Sequence, residues 1–221
     1  MATGLFKSSL VKKYWMALTG IFLITFLIIH CSVNAAIFFN DGGETFLMLA
    51  HFMGTNIIIR TMEIVLVIGF LIHIVDGLML FFQNRKARPV KYSYEKPSAS
   101  SAWYARQMAL LGTLLLIFLI IHASDFWIPN RVNQFQTGEE LNLFEKMKTR
   151  FSELWVVILY VAACVSLFWH LLHGFKSAFQ SLGFNHTKYK GTIAMVGDAF
   201  SVIVPAIFAA MPIAFYLKWI A

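Results

Sequence analysis

The chain has 221 residues, 59% of them hydrophobic and 13% charged, with a formal net charge of +7 and a mean hydropathy of +0.70. Soluble domains carry nearer a quarter charged residues, so this composition excludes a water-soluble domain and predicts a multi-pass membrane protein. The basic residues sit in short connections between apolar runs, a topology signal that argues against a nucleic-acid-binding patch.

Five apolar runs are long enough to cross a hydrocarbon core of ~30 Å. They lie near 14–38, 57–82, 103–126, 154–180 and 193–218 and predict an all-α integral membrane bundle, one transmembrane domain over residues 1–221. The first run follows Lys7, Lys12 and Lys13 but is longer than a signal-peptide core, and cleavage behind it would remove His30, so it is read as a retained span. Trp15, Trp103, Trp155 and Trp219 mark span ends, as interfacial aromatics do. The connection 127–153 is the longest. Leu141, Phe144 and Met147 at three-residue spacing, followed by Phe151, predict a short helix lying along the membrane surface. Pro205 and Pro212 inside the fifth run predict a kink. Cys31 and Cys164 lie in apolar runs with neither CxxC nor CxxCH, and read as small buried residues.

Of the 18 basic residues, the N-terminus, the second-to-third and the fourth-to-fifth connections hold 12. These are Lys7, Lys12, Lys13, Arg85, Lys86, Arg88, Lys91, Lys96, Arg106, Lys176, Lys188 and Lys190. The opposite side holds the other 6. The N-terminus is therefore expected in the cytoplasm and the C-terminus outside.

Inside the spans a pattern repeats. Phe26-Leu27-Ile28-Ile29-His30 recurs as Phe118-Leu119-Ile120-Ile121-His122, and each histidine follows a glycine ten residues earlier, Gly20 and Gly112. The following spans share His-x-x-x-Gly, as His73 to Gly77 and His170 to Gly174. Intramembrane histidines are costly, so a repeated set of four implies a function there. His30 and His122 lie late in outward-running spans, roughly 17 to 19 residues in, at 1.5 Å per residue. His73 and His170 lie equally late in inward-running spans. Depth alone therefore predicts one histidine pair in the outer half of the membrane and one in the inner half. Facing histidines can hold a haem iron from both sides, which suits electron transfer. The reading is two b-type haems, with His30 and His122 on the outer iron and His73 and His170 on the inner. Gly77 and Gly174, one turn past their histidines, and Gly20 and Gly112, near the inner level, are read as haem clearance. A lone intramembrane histidine is often a packing residue, and His173 competes with His170 as ligand; the glycine offset selects His170.

These residues resemble the single-chain, two-haem cytochrome b anchor of succinate:quinone oxidoreductases, the succinate dehydrogenase and fumarate reductase family, over nearly the whole chain. Ala50-His51-Phe52-Met53, Gly174 and the run from Ser177 to Gly183 also match members of that family. The resemblance implies the same axial assignments and a place in a bacterial cytoplasmic membrane. It implies two partners on the cytoplasmic side, an iron–sulfur subunit and a flavoprotein with FAD. This chain would act as anchor and electron carrier of the enzyme without binding the dicarboxylate. Phe168 stands where some relatives have a glutamate proposed to move protons, which argues against a proton path there.

Quinone reduction needs proton donors beside a haem and near a surface. On the outer side Glu63, Arg60, Glu44, Asp41 and His51 qualify, with menaquinone favoured there by the resemblance; on the inner side Asp76, His173 and Gln180 do. Glu63 with Arg60 has i, i+3 spacing and reads equally as an ion pair. His173, Lys176 and Ser177 are candidates for propionate or quinone contacts, and Asp125 reads as an interfacial carboxylate. Two rival readings are the two-haem anchor of another quinone-linked enzyme, of hydrogenase or formate dehydrogenase type, and a haem-free proton-relay protein.

Overall fold

The computed structural model describes residues 9–86, 102–184 and 186–220; Lys7, Arg88, Lys91 and Lys96 of the charge count lie outside them. Among the described residues, five helices are long and apolar enough to cross a membrane: Leu10–Phe39, Ile57–Lys86, Met108–Thr137, Leu154–Ser181 and Thr187–Tyr216. We number them as spans one to five. Their outward faces carry large apolar side chains such as Ile58, Ile64, Ile117, Ile158 and Ile203, each more than half exposed, as suits a lipid solvent.

The third span departs most from expectation. A single turn, Trp103–Arg106, precedes it, and the helix proper starts at Met108. It then runs past residue 126, through a π-turn at Ala123–Trp127 and on to Thr137. Pro129 has no N–H to give the carbonyl of residue 125 and its ring crowds that carbonyl, so the helix widens there instead of stopping. The long connection therefore begins after Thr137 rather than at 127. The fifth helix likewise begins at Thr187 rather than 193, and contains Pro205 and Pro212.

The short helix in that connection is Leu143–Arg150, with Asn142 accepting the N–H of Glu145 at its start. Phe144, Met147 and Phe151 are buried, not spread on a membrane surface. They join Ala36, Ile37, Phe46, Val156, Tyr160, Met211 and Phe215 in one apolar core. A second short helix, Glu44–Thr55, closes over the same core, entered through Gly43 at φ 84°. A Cβ on Gly43 would strike the Phe144 ring, so both the left-handed turn and the close packing require glycine.

Around the bundle, span one packs on span two, two on three, three on four and four on one, while span five packs on four and one. Spans one and three therefore face each other across the bundle, as do two and four. At Gly197 of span five a Cβ would lie 2.6 Å from Phe175 Cδ1; the bare glycine lets spans four and five come close together.

Candidate intramembrane histidine site

The four repeated histidines bridge the two diagonals of the bundle. His30 of span one and His122 of span three have ring centroids 5.9 Å apart with planes at 82°. His73 of span two and His170 of span four are 6.3 Å apart at 63°. The Phe-Leu-Ile-Ile-His repeat also acquires a local meaning. Residues four apart share a helix face, and Phe26 stacks on His30 at 5.1 Å and 17° while Phe118 stacks on His122 at 5.5 Å and 26°. Each copy thus carries a ring and the aromatic wall that orients it. Phe208 of span five and Tyr160 of span four complete the surroundings, at 5.5 Å from His30 and 6.0 Å from His122.

Gly20 and Gly112 face the other pair. A Cβ on Gly20 would be 3.8 Å from His73 Cε1, and one on Gly112 would be 3.8 Å from His170 Cε1. Spans one and three therefore contribute a histidine at one level and bare backbone at the other. Gly174 faces open space, whereas Gly77 is taken up by a neighbour: a Cβ there would lie 3.3 Å from Met16 Cε. Gly77 thus lies beside the flexible end of a span-one side chain.

The Nδ1 atoms differ within each pair. His122 Nδ1 and His170 Nδ1 are buried without a hydrogen-bond partner among the described residues. His73 Nδ1 lies 3.2 Å from Thr19 Oγ1, and His30 Nδ1 lies 3.3 Å from Asn34 Nδ2. Asn34 is bonded more closely, at 2.8 Å, to the His30 carbonyl. Metal binding through His30 Nε2 would put a proton on Nδ1 and so displace the Asn34 contact. Neither Thr19 nor Asn34 was singled out in the sequence, although Asn34 follows His30 by one helical turn and Thr19 adjoins Gly20.

Beyond the His30–His122 level a polar layer joins the second and third spans. Arg131 clasps Glu63 with two hydrogen bonds, of 2.9 and 2.7 Å, and the Trp127 indole N–H donates to the same carboxylate. Arg60 donates to Gln134 at 2.9 Å and its Nε is 4.0 Å from Glu63. The main partner of Glu63 is thus Arg131, not Arg60. Sequence reading missed it because residue 131 was placed in a loop rather than on the third helix. His51 pairs with Glu140 at 2.9 Å. Beside this layer is a cleft of about 460 Å³ walled by Ile57, Ile64, Val67 and Ile68, with Arg60, Glu63 and Trp127 at its polar edge.

Glu44 stands exposed in the first turn of its own short helix, away from that cleft. Asp41 is occupied in the turn before the same helix, accepting from the N–H of Gly43 and from the N–H and hydroxyl of Thr45. Asp125 is no interfacial carboxylate. It accepts from Tyr160 at 2.8 Å and pairs with Arg150 at 2.9 Å, with only 12% of its side chain exposed.

At the other end, His173, Lys176, Ser177 and Gln180 line a smaller cleft of about 160 Å³ with Tyr104 and Leu172. His173 is there rather than in the pair, and Lys176 is bound to Asp198 of span five. Asp76 is buried on span two and lines neither cleft.

Fold and site define a class: a multi-pass α-helical membrane protein whose interior holds two histidine pairs, one on each diagonal of a four-helix ring. No family model, curated protein or solved structure matches the chain.

Proposed function

We propose that this chain is the membrane-anchor cytochrome b of a succinate:quinone oxidoreductase, with His30 and His122 as axial ligands of one b haem and His73 and His170 of the other. The observation that carries the reading is the pair geometry. Two imidazoles sharing a metal through nitrogens about 2 Å from it set their centroids roughly 6 Å apart, and the observed separations are 5.9 and 6.3 Å. Two facing histidines would hold a haem iron, whose remaining ligands the haem itself would supply. Gly20, Gly112 and Gly174 leave the clearance a flat macrocycle needs.

When bound, the haem irons supply one-electron transfer between the two membrane faces. The chain's own residues do the rest. Phe26 and Phe118 hold the outer imidazoles in plane, and the aromatic core beyond them excludes water. Glu63, fixed by Arg131 and Trp127, with Arg60 beside it, gives the larger cleft charged groups at the rim of an apolar wall. That combination suits a quinone, apolar in ring and tail and polar at its two oxygens, and we assign menaquinone to it. In this proposal the chain lies in a bacterial cytoplasmic membrane, N-terminus inside and C-terminus outside, with the iron–sulfur and FAD subunits docked on the cytoplasmic side.

A reduced-minus-oxidised spectrum with a haem count on the purified complex tests the reading. Two b haems per chain are expected; none would end the proposal and favour a proton relay. His170→Ala should remove one haem, whereas His173→Ala should leave both, and the reverse result would exchange their roles. Cross-linking the soluble partner to the outer face would favour the anchor of another quinone-linked enzyme.

A further inference from the structure

The two halves of the repeat differ at the residues that touch the histidine Nδ1 atoms. The glycine opposite the inner pair is preceded by Thr19 in the first half and by Leu111 in the second. His30 is followed one turn later by Asn34, and His122 by Phe126. The second half therefore offers hydrocarbon in both places, and there Nδ1 of His170 and His122 is buried and unpartnered among the described residues.

Thr19 is the more informative of the two polar residues. Its Oγ1 lies 2.9 Å from the Trp15 carbonyl, 3.2 Å from the Met16 carbonyl and 3.2 Å from His73 Nδ1. A hydroxyl has one proton, and carbonyl oxygens only accept. The assignment that uses every contact has Thr19 donating back to its own helix and accepting from His73 Nδ1–H. That ring is then held as the Nδ1-protonated tautomer with the lone pair on Nε2. Asn34 cannot do this for His30, because the group it turns to Nδ1 is itself an N–H donor. Thr19 is thus the one side chain, among the described residues, that accepts from a member of either pair.

We infer that Thr19 is a positioning residue, which fixes the tautomer and orientation of His73 and makes the two axial ligands of the inner pair electronically unequal. This rests on the haem assignment above. An Nδ1–H bonded to an acceptor makes the imidazole a stronger base toward iron. It therefore favours the ferric state and lowers the potential of that haem relative to an unbonded ligand.

The test is a redox titration of both b-type absorbances, with low-spin ferric EPR, on the purified complex of wild type, Thr19→Val and Thr19→Ser. Valine keeps the shape of threonine and removes the hydroxyl, which is both the acceptor for His73 and the donor to the Trp15 and Met16 carbonyls; serine keeps both roles. The expected result is an upward shift of one midpoint potential in Thr19→Val, or loss of that haem alone, with the other haem unmoved and serine restoring both. Unchanged midpoints and EPR signals in a two-haem Thr19→Val protein overturn the inference, as does a defect that serine fails to restore. Absence of haem from the wild type overturns instead the assignment on which it rests.

Discussion

The two ends of this bundle are built differently. At the His30–His122 end, two extra short helices fold back over the spans and close an apolar core running from Ile37 through Phe144 to Phe215. There the Tyr160–Asp125–Arg150 set and the Glu63–Arg131 clasp are largely shielded. At the His73–His170 end spans four and five meet by close approach at Gly197, and the ion pair between Lys176 and Asp198 is more exposed, at 38% and 49% of its side chains. One end carries its own lid, and the other depends on bare backbone. Buried charge demands complete pairing in the first region, and steric room matters more in the second.

Five substitutions sharpen that contrast. Asp125→Ala leaves the Tyr160 hydroxyl and the Arg150 guanidinium without their shared partner. It should cost about 3 kcal/mol, read as a lowered Tm in detergent, whereas Asp198→Ala at the exposed pair should cost under about 1 kcal/mol. Equal losses would erase the difference between the ends. Gly197→Ala drives a methyl group into the Phe175 ring and should cost about 1–3 kcal/mol. Gly174→Ala, facing open space, should leave the Tm nearly unchanged. The smallest effect is expected at the lid's entry. Hydrogen bonds from Thr45 and Gly43 hold the Asp41 carboxyl below the ordinary carboxylate range. Its stabilising contribution is then complete above a pH of about 3.9 and is lost as pH falls through the lowered value. In Asp41→Ala, amide exchange at Gly43 and Thr45 should be faster at neutral pH and should converge with wild type in acid.

The site was legible where the chemistry is local. His30, His73, His122 and His170 stood out because histidine is rare in apolar spans, and their depths followed from counting along helices of known rise. The Phe26–His30 and Phe118–His122 stacks were present in the repeat as a spacing of four. Arg131, Trp127 and Gln134 were not legible, because the proline at 129 and the polar run around it resemble a loop. A π-turn carries the helix through, and with it these side chains onto Glu63 and Arg60. Nor could Asp125 be assigned, since its partners Arg150 and Tyr160 lie on other helices.

By itself the sequence determined five apolar spans and the levels of the repeated histidines, because lipid thickness and helical rise leave little choice. Only the tertiary structure decided which spans lie across the bundle from one another. It also decided that Thr19 rather than Leu111 meets a histidine nitrogen, that Gly77 lies beside Met16, and that the connecting helices form a lid. Those outcomes depend on how side chains from distant positions fill one shared space, and no single helix contains that information.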